Sequence, residues 1–239
     1  FQITTTGLPS SNKTYSDGSI GYPRAIAVDP ANANLVYAGF EGDLSGGLFV
    51  SSDGGLSWTR SSGQPGDLRV HNGLLVDPLD SNTLYWGTRD SSTGGIFVSR
   101  DRGKTWQRTY SSSTWVMDMA ADPAGPIYAA TDNGGASVMV SKNKGASWEK
   151  IAQLTTAWRP SDAVVVNPAD AKMIAASVGA WFTVSDSKVF LSRDSGVAWS
   201  DITENLPTGS DISTMAFSPD GKYLFVGRSA GGVYKLQVN

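Results

Sequence analysis

The octapeptide SRDRGKTW at residues 99–106 decides the fold, because three other stretches of the chain follow the same pattern. The copies are SSDGGLSW at 51–58, SKNKGASW at 141–148 and SRDSGVAW at 192–199. In each, an acid or amide and a glycine favour a tight turn, and a tryptophan opens the stretch that follows. Repeats at intervals of roughly 20 to 50 residues are typical of solenoids and propellers.

Three more phrases recur upstream of each octapeptide. A short apolar stretch ending in proline precedes it, with the prolines 45 to 51 residues apart at Pro30, Pro78, Pro123, Pro168 and Pro219. Two further apolar stretches then follow, as in LVYAGF (35–40) and GGLFVS (46–51). Four short strands per repeat, joined by turn residues, predict the blades of a β-propeller.

We therefore predict an all-β, five-bladed β-propeller of four-stranded antiparallel blades in a single domain, residues 1–239. The predicted blades span residues 22–62, 70–111, 115–155, 160–204, and 211–239 together with 1–9. The fifth repeat lacks the octapeptide and its outer strand, whereas residues 1–9 align with 199–207. Hence the N-terminal strand is predicted to close the last blade. A longer propeller that begins within a repeat is the alternative.

Composition excludes several classes of function. The net charge is −3 and the basic residues are scattered, which disfavours nucleic acid as a partner. No apolar run reaches the roughly 18 residues of a membrane span, so no membrane insertion is expected. With no cysteine and a single histidine, the sequence predicts no metal site and no cofactor.

The acids and tryptophans of the octapeptides have a sufficient structural explanation. A carboxylate can accept backbone N–H bonds within its own turn, and tryptophan can pack between sheets. The third copy carries Asn143, an amide that could not serve as a catalytic acid or base. We therefore interpret Asp53, Asp101, Asn143 and Asp194 as turn residues.

These octapeptides resemble Asp-box (BNR) repeats, and the chain resembles the Asp-box propellers of sialidases, xyloglucanase-type glycoside hydrolases and sortilin-like receptors. The resemblance implies that the Asp-box turns share one face and that ligands bind at the opposite face. Loops expected on that second face carry aromatic, polar and charged side chains suited to sugars. The candidate ligand-binding residues are Arg24, His71, Asn72, Trp115, Asp118, Trp158 and Trp181.

The same resemblance supplies a catalytic candidate. Xyloglucanase-like hydrolases carry a catalytic aspartate in a T-D-x-G-G run, which Thr131–Gly135 matches, so Asp132 is the candidate acid. Asp90, Asp118 and Asp162 are the candidates for the second carboxyl group that glycoside hydrolysis requires. Sialidase chemistry is disfavoured, because the Tyr22–Ile26 run is only distantly similar to the F/Y-R-I-P run of that family.

The sequence thus predicts a glycan-recognising propeller, extracellular or at the cell surface, whose partner is a polysaccharide or other glycan. A xyloglucanase-like glycoside hydrolase is the first alternative. A protein-interaction or assembly scaffold is the second, because one propeller architecture serves many functions.

Overall fold

The computed structural model describes residues 6–9, 23–42, 46–64, 73–88, 94–111, 115–122, 125–157, 159–179, 187–204, 206–207 and 210–238. Within these ranges every regular element is a β-strand, in agreement with the predicted all-β class. The strands form five antiparallel sheets in chain order, one for each predicted blade. The fold class is therefore the five-bladed β-propeller predicted from the repeats.

Each sheet follows the chain, so that consecutive strands are hydrogen-bonded neighbours. The first blade contains β1 (Pro23–Asp29), β2 (Asn32–Phe40), β3 (Gly47–Ser51) and β4 (Thr59–Arg60), and the second contains β5 (Leu74–Asp77), β6 (Asp80–Thr88), β7 (Gly95–Ser99) and β8 (Gln107–Ser111). The third contains β9 (Val116–Ala121), β10 (Ile127–Thr131), β11 (Ser137–Ser141) and β12 (Glu149–Gln153), and the fourth contains β13 (Val164–Asn167), β14 (Asp170–Val178), β15 (Lys188–Ser192) and β16 (Ser200–Asp201). In the fifth, the described strands are β17 (Ile212–Phe217), β18 (Tyr223–Arg228) and β19 (Gly232–Gln237).

The chain divides into two compact units, Phe1–Val116 and Met117–Asn239. The first unit contains the first two blades, and the second contains the last two and nearly all of the third. The single domain predicted for residues 1–239 stays a prediction.

In both units the core lies between consecutive sheets. In the first unit Tyr37 and Leu48 pack in one cluster with Leu84 and Trp86, and all four are fully buried. In the second unit, fully buried side chains of β10, β11 and β14 form a corresponding cluster between the third and fourth blades. Burial of one such side chain stabilises the fold by about 1.5 to 3 kcal/mol, so these clusters hold neighbouring blades together.

The Asp-box turn of the second blade shows how the octapeptide folds. The Asp101 carboxylate accepts hydrogen bonds from the Thr105 amide (2.8 Å), the Thr105 hydroxyl (2.5 Å) and the Ser99 hydroxyl (2.7 Å). Ser99 Oγ in turn accepts the Gly103 amide at 2.8 Å, and Trp106 Nε1 donates to the Gly103 carbonyl at 3.1 Å. The turn therefore satisfies most of its own polar groups, while the Arg102 amide donates to the Asn82 carbonyl at 2.9 Å. The structural interpretation of the acid is confirmed.

The other three turns share the backbone amide bond to the acid or amide side chain and the glycine amide bond to the serine hydroxyl. Their side-chain bonds differ, since Trp58 Nε1 in the first turn has no acceptor among the described residues. Asn143 accepts the Ser147 amide at 2.9 Å and donates from Nδ2 to the Ser147 hydroxyl at 2.8 Å, so an amide suffices. In the first turn, hydrogen bonds from Ser57 lower the pKa of Asp53 to about 2. The carboxylate therefore remains ionised over the physiological pH range.

The fourth position of each Asp-box turn adopts a left-handed backbone conformation. Gly54 has a φ of 73°, and the equivalent residues Arg102, Lys144 and Ser195 have φ values of 62°, 54° and 61°. A left-handed conformation is unfavourable for residues with a Cβ atom. Three of the four turns therefore adopt this conformation without glycine.

The N-terminal segment lies beside the first Asp-box turn. The Thr6 carbonyl accepts a hydrogen bond from the Trp58 amide at 2.9 Å. A Cβ atom on Gly7 would overlap the Trp58 carbonyl, just as one on Gly63 would overlap the Lys104 carbonyl of the second turn. Residues 6–9 therefore lie against the first Asp-box turn in the same way that the segment after the outer strand β4 lies against the second Asp-box turn. Residues 1–5 lie outside the described residues, so pairing with the fifth blade stays a prediction.

Candidate functional site

Three of the predicted acids lie at one edge of the second unit. Asp118 is near the start of β9, and Asp132 follows the end of β10, which are adjacent ends because the two strands are antiparallel neighbours. The Ser161 amide donates to the Thr131 carbonyl at 3.1 Å, which brings the segment containing Asp162 to the same edge. The fold therefore assembles acids that are separated by up to 44 residues in the sequence.

Asp118 is buried, with 7% of its surface exposed. Its Oδ1 accepts the Met119 amide at 2.9 Å, and its Oδ2 accepts the Val164 amide at 3.0 Å. The second bond joins the third blade to the first strand of the fourth. The Asp118 carboxylate therefore links the third blade to the fourth. The prediction that Asp118 binds a ligand did not include this structural role.

Asp132 begins a rigid loop between β10 and β11. Its carbonyl accepts the Gly135 amide at 3.1 Å, and Gly134 and Gly135 have φ values of 78° and 113°. A Cβ atom on Gly135 would overlap the Thr155 carbonyl, which shows how closely the loop packs. The half-buried Asp132 is thus held on a fixed backbone at the rim of the edge.

Asp162 is half-buried and its carboxylate packs against the backbone of Gly179, the residue after β14. A Cβ atom on Gly179 would overlap Asp162 Oδ2, and the Gly179 amide is fixed by the Pro160 carbonyl at 2.9 Å. Gly179 therefore leaves the space that this carboxylate occupies. Within the described ranges, no three potential ligands among Asp, Glu and His are grouped closely enough to hold a metal ion.

In the first unit, the predicted Arg24 is paired with an acid. Its Nε donates to Glu41 Oε2 at 2.7 Å, with the arginine side chain 38% exposed and that of the glutamate 10% exposed. Arg24 lies at the start of β1 and Glu41 directly follows β2, so the antiparallel pairing of these strands brings them together. The pair is partly shielded from water, which makes it a stronger interaction than a fully exposed pair.

The other predicted residues divide into two groups. Trp115, directly before β9, is half-buried. Five predicted residues lie outside the described residues, namely His71, Asn72, Asp90, Trp158 and Trp181.

One stretch of the second blade matches a known family of repeats. Residues 97–108 match the family model of the BNR/Asp-box repeat. These residues contain the turn around Asp101, so the hydrogen-bonded octapeptide and the family signature coincide. The resemblance inferred from the four octapeptides is thereby confirmed. A search of curated proteins gave no match.

Solved structures with the same fold include enzymes and a peptide-binding protein. An ancestral GH74 enzyme superposes with a TM-score of 0.73 at 22% identity, covering 89% of this chain and 30% of that one. The GH74 xyloglucanase from Xanthomonas campestris gives 0.67 at 17% identity, covering 88% and 44%. YCF48 bound to D1 peptide gives 0.62 at 17% identity, covering 92% and 65%. This chain spans less than two thirds of each of these chains, and at such identities the likeness shows the fold alone.

Sequence reasoning missed one residue, Arg228, the last residue of β18 in the fifth blade. Its counterparts at the ends of the equivalent strands are Phe40, Thr88, Thr131 and Val178, none of which is charged. Only 9% of the Arg228 surface is exposed. The signal that could have revealed it was a charge at a position where the other repeats are neutral.

Membrane insertion is a separate question. None of the described residues belongs to a helix that could cross a bilayer.

Proposed function

We propose that this Asp-box propeller is a glycan-binding module, extracellular or at the cell surface, that takes a polysaccharide as its partner. The observation that carries the proposal is the position of Asp132, half-buried on a fixed backbone at the edge of the second unit where Asp162 also lies. Carboxylates held on a fixed backbone are suited to accept hydrogen bonds from sugar hydroxyls. The GH74 xyloglucanase with the same fold supports a carbohydrate ligand.

Binding is favoured over hydrolysis because Asp118 already uses both carboxylate oxygens on backbone amides. A general acid must be able to carry a proton, which such hydrogen bonds to the ionised form oppose. Asp118 is therefore a poor partner for Asp132 in catalysis.

Glycoside hydrolysis is the second candidate, favoured by a specific observation. The Asp132 loop and the Asp162 segment are joined by the hydrogen bond from Ser161 to Thr131. Two carboxyl groups at a suitable separation could then serve as acid and base. A protein-binding function is the third candidate, supported by the fold shared with YCF48 bound to D1 peptide.

A glycan array with the intact chain tests the proposal, with product release followed for each oligosaccharide bound. Binding without products, retained in Asp132→Asn, supports a binding module. Products that disappear in Asp132→Asn would establish the hydrolase instead. Absence of binding to any glycan would overturn the proposal in favour of a protein partner.

A further inference from the structure

Arg228 is a buried cation for which the described part of the chain supplies no counter-charge. Its Nη2 donates to the Ser210 carbonyl at 2.8 Å, and its Nε is buried with no acceptor. No carboxylate within the described ranges pairs with this guanidinium. The Nη1 nitrogen of Arg228 therefore remains able to donate hydrogen bonds to a ligand.

Such an arrangement is unfavourable for folding, because a buried charge is stabilised only when it is paired. The neighbouring groups offer partial compensation. The Arg228 Cζ lies 5.9 Å from the centre of the Tyr234 ring, within reach of a cation–π interaction. The Ser210 carbonyl, which also accepts the Ser187 hydroxyl at 3.0 Å, contributes a dipole but no charge. A carboxylate supplied by a ligand would complete the site.

A groove lined by Tyr234, whose ring lies near the guanidinium, gives such a ligand room. It has a volume of about 200 Å³ and is lined by Thr203, Glu204, Leu206, Tyr234, Lys235 and Leu236. In the β18–β19 register Arg228 lies opposite Gly232 and Val226 opposite Tyr234, which places Arg228 and Tyr234 on the same face of the sheet. The Tyr234 ring is therefore shared between the groove and the guanidinium.

We propose that Arg228 binds the carboxylate of a uronic acid residue in an acidic glycan, with the Tyr234 ring against the sugar. The planar guanidinium matches a planar carboxylate, and an aromatic ring matches the apolar face of a pyranose. This inference rests on the proposed glycan-binding function and narrows it to acidic polysaccharides. The groove is also lined by one acid, Glu204, and one cation, Lys235.

The test is calorimetric titration of the intact chain with trigalacturonic acid, and with the same trisaccharide after reduction of its carboxyl groups. We expect binding of the acidic form, and a 10- to 100-fold weaker affinity in Arg228→Met, about the effect of losing a charged hydrogen bond. Removal of an unpaired buried charge should leave the melting temperature unchanged or higher, which separates loss of binding from loss of folding. Lys222→Gln, an exposed cation before the other end of β18, is the matched control and should bind like the parent.

Each other outcome overturns the inference. Equal affinity for the acidic and reduced trisaccharides, or unchanged affinity in Arg228→Met, would leave glycan binding intact and remove the role of Arg228. Binding of a sulfated trisaccharide or a polyglutamate peptide in preference to the uronate would assign the site to another anion. No binding to any glycan would overturn the proposed function as well.

Discussion

The left-handed position of the Asp-box turn yields a prediction with a definite sign. Ser195 is exposed, has a φ of 61°, and donates its amide to the Lys172 carbonyl at 2.9 Å. Gly54 occupies the same position in the first blade with a φ of 73°, and donates to the Asn34 carbonyl at 2.9 Å. Because the backbone geometry is the same, Ser195→Gly should remove conformational strain without breaking the turn.

The expected magnitude is the difference of two opposing contributions. Relief of the left-handed conformation is worth about 1 to 2 kcal/mol. The greater freedom of glycine in the unfolded chain costs about 0.4 to 1 kcal/mol. Ser195→Gly should therefore raise the free energy of unfolding by about 0.5 to 1 kcal/mol. For a chain of this size, each kcal/mol raises the melting temperature by about 2 to 4 °C.

The matched control is Arg193→Gly, two residues earlier on the same exposed turn and without a positive φ. It should lower stability by about 0.4 to 1 kcal/mol, because only the unfolded-state contribution applies. The reciprocal variant Gly54→Ser should also destabilise, because its φ of 73° is unfavourable for a residue with a Cβ atom. No clash contributes, since the Cβ would meet only Asn34 Oδ1 at an ordinary contact distance of 3.5 Å. Urea unfolding followed by tryptophan fluorescence measures all three variants. Shifts of the same sign for Ser195→Gly and Arg193→Gly would refute the reasoning.

Three further predictions concern carboxylates described above. Asp101→Asn should cost little, because an amide serves in the third turn, whereas Asp101→Ala should cost about 0.5 to 1.5 kcal/mol by removing the hydrogen bonds of the exposed turn, a difference measurable by urea unfolding. Asp118→Ala should destabilise by about 2 to 4 kcal/mol, since it leaves the Val164 amide buried without an acceptor; a melting temperature equal to that of the parent would contradict the link between the third and fourth blades. The lowered pKa of Asp53 makes its stabilising contribution complete above the unfolded value near 4, and this contribution is lost as the pH falls through about 2, so acid titration of Asp53→Asn should show a shallower decline than the parent.

Much of the fold could be predicted from the sequence because the determinants are local and repeated. The octapeptide at 99–106 contains both the carboxylate and the amide that binds it, so the turn and its structural role follow from the pattern. The strands follow from the apolar stretches on either side of these turns. Residues 1–9 show the limit, since aligning two segments does not reveal which edge the first one pairs with.

The candidate site was less predictable because its contacts are long-range. Asp118 was expected to bind ligand, yet its carboxylate reaches an amide 46 residues away in the next blade. Sequence pattern indicates which face of a strand is apolar, but not which polar group lies across the gap between two sheets. The burial of Arg228 was hidden for the same reason, since an arginine at a strand end is usually solvated.

The self-sufficiency of the Asp-box turn has an evolutionary consequence. Its hydrogen bonds within the octapeptide join residues no more than four positions apart, so a copied repeat brings along nearly everything that its turn needs to fold. A gene segment encoding one repeat could be duplicated without compensating changes in its neighbours. Selection would then act on the loops at the opposite ends of the strands, where the copies are free to diverge and acquire separate ligands.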